Sequence, residues 1–67
     1  MEILINNQLY TMPAASSLDN VLNVLSIHEH SGIAMAVNEV VVPKSQWAQH
    51  VLTENDKVLI IRAAQGG

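Results

Sequence analysis

The chain has 67 residues, which is enough for one small domain and excludes a second. Hydrophobic residues make up 49% of it and charged residues 13%, a composition that predicts a folded core and argues against disorder. A net charge of −3 argues against nucleic acid as a partner, and the absence of cysteine excludes disulfides, thiolate catalysis and Cys-based zinc or iron–sulfur sites.

The first predicted element is a β-hairpin. Glu2–Asn6 is rich in apolar residues, and Gln8–Met12 alternates polar with apolar residues. Asn6 and Asn7 offer the turn chemistry between them, because asparagine tolerates the positive φ angles that a two-residue loop requires. Pro13 then ends the second strand.

One long helix is expected next. Apolar residues at i, i+3, i+4 and i+7 give it a single buried face, formed by Leu18, Val21, Leu22 and Leu25. Ser16 or Ser17 is expected to cap its N-terminus, with Asp19 three residues after Ser16 as in a capping box. Ser26–Gly32 is expected to form a loop.

The second half of the chain predicts another hairpin and a final strand. Ile33–Val37 and Val40–Val42 flank Asn38-Glu39, whose turn chemistry is weaker than Asn-Gly. Beyond Pro43, Lys44–Leu52 is expected to be a short helical segment. Lys57–Arg62 is a dense β segment.

The predicted order is β-β-α-β-β-(short helix)-β, which indicates an α+β fold. The first and last strands are the strongest β segments, so we expect them to pair in parallel at the centre of a mixed sheet of about five strands. One main helix covers one face of this sheet in a β-grasp arrangement. We predict a domain over residues 1–63 and a flexible C-terminal tail over residues 64–67.

Side chains that could carry chemistry have simpler explanations. His28 and His30 lie at i, i+2, but a zinc site needs three or four ligands, so solvated loop histidines are favoured over a metal site. Glu54 and Asp56 are better explained as part of a solvated loop than as a catalytic pair, and Trp47 as a core or rim residue. No serine lies in a nucleophile motif, and no phosphate-binding or dinucleotide fingerprint is present.

The C-terminus stands apart, because Gly66-Gly67 follows closely on the last strand. Glycine has no Cβ, so a narrow channel in another protein can close around this backbone. A carboxylate must be activated before a nucleophile can attack it, and transfer of AMP from ATP does so. Nothing in the chain supplies a phosphate clamp or Mg²⁺ ligands, so the domain would be a carrier acted on by other enzymes. An ordinary frayed terminus remains the alternative.

The sequence resembles the ThiS group of sulfur carriers within the ThiS/MoaD ubiquitin-like superfamily. The resemblance covers the whole chain, and its most specific stretches are Ala36–Asn38, the V-V-P-K-S-Q-W run of Val41–Trp47 and the ending Ala63–Gly67. It implies that an E1-like adenylyltransferase (ThiF-type), using ATP and Mg²⁺, adenylates Gly67. The carrier itself would bind no cofactor and would not be an enzyme.

The resemblance also implies the later steps and the partners. A sulfur relay from a cysteine desulfurase would convert the glycyl adenylate to a thiocarboxylate, and thiazole synthase (ThiG-type) would receive that sulfur in thiamin biosynthesis. Gly66 and Gln65 would present the terminus. A carrier for molybdopterin or another sulfur-bearing product, and a ubiquitin-like protein modifier, stay open as alternatives.

Two further expectations concern partners and location. If Val58 and Ile60 face the core, Leu59 and Ile61 lie on the opposite face and form a possible docking patch beside the terminus, with burial under neighbouring strands as the alternative. The N-terminus lacks a signal-peptide pattern, and the apolar runs are far shorter than the ~20 residues that span a bilayer. We therefore expect a cytoplasmic protein with no membrane partner.

Overall fold

The computed structural model describes residues 1–63, so the predicted tail with Gln65, Gly66 and Gly67 lies outside the described residues. The elements in chain order are β1 (Glu2–Ile5), β2 (Gln8–Thr11), α1 (Leu18–Val24), β3 (Ile33–Val37), β4 (Val40–Val42), a 3₁₀ turn (Lys44–Gln46) and β5 (Lys57–Arg62).

The five strands form one mixed sheet in the order β2-β1-β5-β3-β4. β1 and β5 run in parallel side by side, whereas the β1–β2, β3–β4 and β3–β5 pairs are antiparallel. The more polar strand of the first hairpin, β2, and the shorter strand of the second, β4, thus lie at the edges of the sheet. The two most β-prone strands, β1 and β5, lie inside it. The predicted α+β, β-grasp architecture with a central parallel pair is confirmed.

Both hairpins turn through two residues in the left-handed region. The φ angles are 49° and 68° at Asn6 and Asn7, and 50° and 71° at Asn38 and Glu39. Two-residue hairpin loops of the type that matches strand twist need this conformation at both positions. The Asn-Glu turn therefore has the same conformation as the Asn-Asn turn, although glutamate is the less suitable residue.

The helix packs as its apolar spacing predicts. Leu18, Val21 and Leu22 are fully buried, and Leu25, just past the helix end, packs partly buried against the same core. One of the two serines predicted to cap the helix does so. Ser17 is the N-cap, and the side-chain oxygen of Asn20 accepts hydrogen bonds from its N–H (2.8 Å) and its hydroxyl (3.2 Å).

The expected pairing of Ser16 with Asp19 is therefore wrong. Ser16 is buried, and its hydroxyl donates to the Pro13 carbonyl at 2.7 Å. This bond satisfies a polar group that would otherwise be costly to bury, so Ser16 shapes the approach to the helix instead of capping it.

Trp47 closes one end of the core. It is only 2% exposed, and its indole N–H donates to the Val42 carbonyl at 2.9 Å. The interpretation of Trp47 as a core residue is confirmed.

The short helical segment expected over Lys44–Leu52 is confirmed as far as His50, because a 3₁₀ turn spans Lys44–Gln46 and the His50 N–H then donates to the Gln46 carbonyl at 3.0 Å. Its extension to Val51 and Leu52 is wrong. Val51 forms an isolated antiparallel bridge with Ser17 and is exposed, and the Leu52 N–H donates to the Ser16 carbonyl at 2.8 Å. These backbone contacts draw Val51 and Leu52 out of the helical turn, so Trp47 and Val51 do not share a helix face.

No helix within residues 1–63 has the length and apolar character needed to cross a bilayer.

Candidate functional site

The sheet face turned away from α1, here called the outer face, carries exposed apolar side chains. On β5, Val58 is buried and Ile60 packs against the core, whereas Leu59 and Ile61 are 48% and 47% exposed. Successive side chains on a strand alternate between faces, so Leu59 and Ile61 share the outer face. Their predicted orientation is confirmed, and their predicted role in docking stays a prediction.

The strand register places apolar side chains on the outer face of every strand of the sheet. Leu9 pairs with Leu4, and Ala36 pairs with both Leu59 and Val41. Leu4 pairs with Lys57, two residues before Leu59 and on the same face. Apolar side chains therefore cross all five strands in what we call the apolar row, formed by Leu9, Leu4, Leu59, Ala36 and Val41.

Sequence reasoning missed four members of this row. Leu9 and Val41 are exposed, Leu4 is half-buried although both its neighbours in β1 are in the core, and the small side chain of Ala36 is buried. Alternation along each strand marks all four as facing away from α1. The register that brings them together follows only from the observed pairing of strands distant in sequence.

A depression of about 260 Å³ lies between the two hairpin turns and the apolar row. Its lining combines Leu4, Ala36 and Leu59 with the oppositely charged side chains of Glu39 and Lys57. A partner's apolar side chain can enter such a recess while polar groups at its edge orient it.

β5 leads from the apolar row towards the C-terminus. The strand ends at Arg62, and the next residue, Ala63, donates its N–H to the Gly32 carbonyl at 2.7 Å. Arg62 and Ala63 also line a cavity of about 420 Å³ with the loop between α1 and β3. The residues that the structure describes thus end at Ala63, next to the loop between α1 and β3 and two residues after Ile61 on the outer face.

The histidines do not assemble a metal site. No group of three or more His, Asp or Glu residues within residues 1–63 is arranged to hold a metal ion. His28 is exposed, as the solvated-loop interpretation predicts, whereas His30 contacts Trp47 edge-on with ring centroids 6.0 Å apart. His30 therefore contributes to the cover over the core.

Glu54 and Asp56 have structural partners beyond solvent. Both carboxylate oxygens of Glu54 accept the Glu2 N–H at 3.0 Å. Asp56 accepts hydrogen bonds from the Thr53 N–H (2.8 Å), the Thr53 hydroxyl (3.1 Å) and the Asn38 side-chain amide (3.0 Å). The two acids tie the turn before β5 to β1 and to the second hairpin.

The bonds to Asp56 make stability depend on pH. Partial burial by itself raises the pKa of this carboxyl, but the hydrogen bonds from Thr53 and Asn38 together lower it below its ordinary value. The stabilisation is therefore present above the ordinary aspartate pKa of about 4 and is lost as the pH falls through the lower folded pKa. We expect Asp56→Asn to lower stability at pH 7 and to lose less on acidification than the wild type.

Urea unfolding at pH 7 and at about pH 3 measures this difference. Glu39→Gln is the matched control, because the Glu39 carboxylate accepts no hydrogen bond from any residue between 1 and 63 in the structure. An equal acid-induced loss in Asp56→Asn and the wild type would refute the assignment.

Comparisons with known proteins agree with this fold. The model of the ThiS family matches residues 3–67. The chain is 34% identical over its full length to the full length of the sulfur carrier protein ThiS of Escherichia coli strain K12.

Two solved structures from Geobacter metallireducens share the fold. The crystal structure of its thiamine biosynthesis protein (ThiS) superposes with a TM-score of 0.84 at 16% identity, covering both chains completely. The solution structure of a thiamine biosynthesis protein from that organism gives a TM-score of 0.76 at 17% identity, over 100% of this chain and 88% of the other.

Proposed function

The chain belongs to the ThiS family and is a sulfur carrier protein of thiamine biosynthesis, and we propose that it carries sulfur on the C-terminal carboxyl group of Gly67. It is a co-substrate and not an enzyme. The observation that carries the proposal is the course of β5, which takes the chain from an exposed apolar surface to a terminal Gly-Gly sequence.

The first step is activation of the carboxylate. A carboxylate oxygen of Gly67 attacks the α-phosphorus of ATP, and the bond from that phosphorus to the departing pyrophosphate breaks. The product is an acyl adenylate, whose carbonyl carbon accepts a nucleophile. The phosphate clamp and the Mg²⁺ ligands come from a ThiF-type adenylyltransferase.

Sulfur then replaces AMP at the same carbon. A persulfide from a cysteine desulfurase relay attacks the glycyl carbonyl, and AMP leaves with the electron pair of the broken carbon–oxygen bond. Cleavage of the resulting acyl disulfide by a second thiol gives the thiocarboxylate and a new disulfide. Thiazole synthase of the ThiG type then receives the sulfur.

The cytoplasmic location expected from the sequence stays a prediction.

The length of chain between β5 and Gly67 links docking on the outer face to the reaction at the C-terminal carboxyl group. Leu59 and Ile61 lie on the strand that runs into the terminus, and the five residues beyond Arg62 reach at most about 17 Å. A partner resting on the outer face therefore has the Gly67 carboxyl group within reach of an adjoining active site. Gly66, without a side chain, and Gln65 would enter the channel that leads there.

Leu59→Asp tests the outer face as the docking surface. Because Leu59 is half exposed, the substitution should leave stability nearly unchanged, whereas a buried carboxylate in the interface should weaken binding to the adenylyltransferase by at least about tenfold. Titration calorimetry with the adenylyltransferase measures the affinity.

Val24→Asp is the matched control, since Val24 is exposed to a similar degree (51%) but lies on α1, away from the outer face. Equal affinities for Leu59→Asp and the wild type, with both proteins folded, would exclude this surface as the docking site.

A further inference from the structure

Asn6, the residue that follows β1, makes the last hydrogen bonds to β5 on this side of the strand within residues 1–63. The Leu4 N–H donates to the Asp56 carbonyl at 3.0 Å and the Asn6 N–H to the Val58 carbonyl at 2.9 Å, as in a parallel ladder. The backbone then turns away through Asn7, while β5 continues to Arg62.

The side chain of Asn6 takes the place of the missing backbone partner. Its oxygen accepts the Ile60 N–H at 2.8 Å, and its nitrogen donates to the Ile60 carbonyl at 3.3 Å. One planar amide thus supplies the donor and the acceptor that another residue of β1 would have supplied. The pairing of β5 on this side is extended by two residues.

The other edge of β5 is held by β3. Ile33 pairs with Arg62, and Ala63 bonds to Gly32 as described above. Ile60 is therefore held from both sides, by β3 on one side and by the Asn6 side chain on the other, whereas the pairing of Arg62 and the bond of Ala63 lie on the β3 side. The direction in which β5 points depends on both.

Asn38 forms an equivalent contact at the opposite end of β5. It occupies the same position in the second hairpin turn, and its side-chain oxygen accepts the Lys57 N–H at 3.0 Å. Asn38 therefore holds the start of β5, and Asn6 holds the part nearer the C-terminus. The two asparagines allow the effect of losing a side-chain bond to be compared at the two ends of the same strand.

We infer that Asn6 is a positioning residue for the proposed reaction, fixing the direction in which β5 presents Gly67 to the activating enzyme. The inference rests on the proposed function. Turn geometry alone does not account for the residue's contacts, because Asn7 in the same turn has a φ of 68° and no side-chain hydrogen bond to residues 1–63. Loss of the Asn6 contact would let the end of β5 pivot on β3, and a small misplacement of a reacting group is costly.

The test compares glycine variants of the three asparagines. Glycine accepts the positive φ, so each variant keeps its turn and loses only a side chain. Steady-state pyrophosphate release by the adenylyltransferase, with the carrier as the varied substrate, gives kcat and KM. We expect Asn6→Gly to lower kcat by about tenfold with little change in KM, and Asn7→Gly and Asn38→Gly to keep the wild-type kcat.

Two measurements separate an effect on the position of β5 from an effect on the stability of the domain. Amide hydrogen exchange at Ile60 should be faster in Asn6→Gly than in Asn7→Gly. Asn6→Asp retains an acceptor for the Ile60 N–H but sets a carboxylate oxygen against the Ile60 carbonyl in place of the donor, so it should recover only part of the lost kcat.

A kcat that falls equally in Asn6→Gly and Asn38→Gly, in step with their melting temperatures, would overturn the inference. Absence of pyrophosphate release with the wild-type carrier would instead overturn the proposed function.

Discussion

Deleting Gly67 will abolish adenylation and sulfur loading while the domain stays folded. The shortened chain ends in the Gly66 carboxyl group, one residue short of the proposed reacting position. ATP–pyrophosphate exchange catalysed by the adenylyltransferase should fall to the level measured without carrier. The core consists of residues between Ile3 and Val58, so the free energy of unfolding should change by no more than about 0.5 kcal/mol.

Gly66→Ala is the companion variant, because it keeps the terminal carboxyl group and adds one methyl group where a narrow channel is expected. It should be adenylated more slowly than the wild type but remain a substrate. Adenylation of the Gly67 deletion at the wild-type rate would refute the assignment of Gly67 as the reacting residue.

Trp47→Ala will leave the domain only marginally stable. Truncating a buried tryptophan costs about 3–5 kcal/mol, and small domains have a total stability of about 5–15 kcal/mol, with a chain of this length expected near the lower limit. The loss also removes the hydrogen bond to the Val42 carbonyl and the ring against which His30 packs. Circular dichroism during urea unfolding measures the effect without depending on tryptophan fluorescence.

Trp47→Phe separates the two contributions. It keeps most of the apolar volume and removes the N–H donor, so it should destabilise the domain by less, about 1–3 kcal/mol, and remain folded. A Trp47→Ala protein that unfolds cooperatively at the wild-type urea midpoint would contradict the placement of this side chain in the core.

Local patterns in the sequence were sufficient to predict most of the fold. The alternation in β2, the 3.6-residue spacing of the α1 core residues and the paired turn residues of both hairpins each arise from interactions within a few residues. The parallel pairing of β1 with β5 is long-range, but it follows from burial, because the two most apolar strands are best placed inside the sheet.

Features that depend on distant contacts were missed or misplaced. Val51 and Leu52 continue the helical spacing of the preceding segment, yet bonds to Ser16 and Ser17 draw them out of the helical turn. The same limit applies to the candidate site. Leu59 and Ile61 follow from alternation along one strand, whereas the full apolar row needs the register of all five strands. The Asn6 contact joins residues 54 positions apart, and no local pattern reveals it.

Intact-mass measurement of the wild-type chain is the most direct test of sulfur loading at Gly67. The chain is incubated with ATP, Mg²⁺, a matched ThiF-type adenylyltransferase and a persulfide sulfur donor, with the Gly67 deletion as the parallel control. We expect the wild-type mass to increase by the replacement of one oxygen with sulfur, fragmentation to place the sulfur at Gly67, and the deletion to stay unchanged. An unmodified wild-type mass, or attachment of the terminus to a lysine in place of sulfur, would contradict sulfur loading at Gly67.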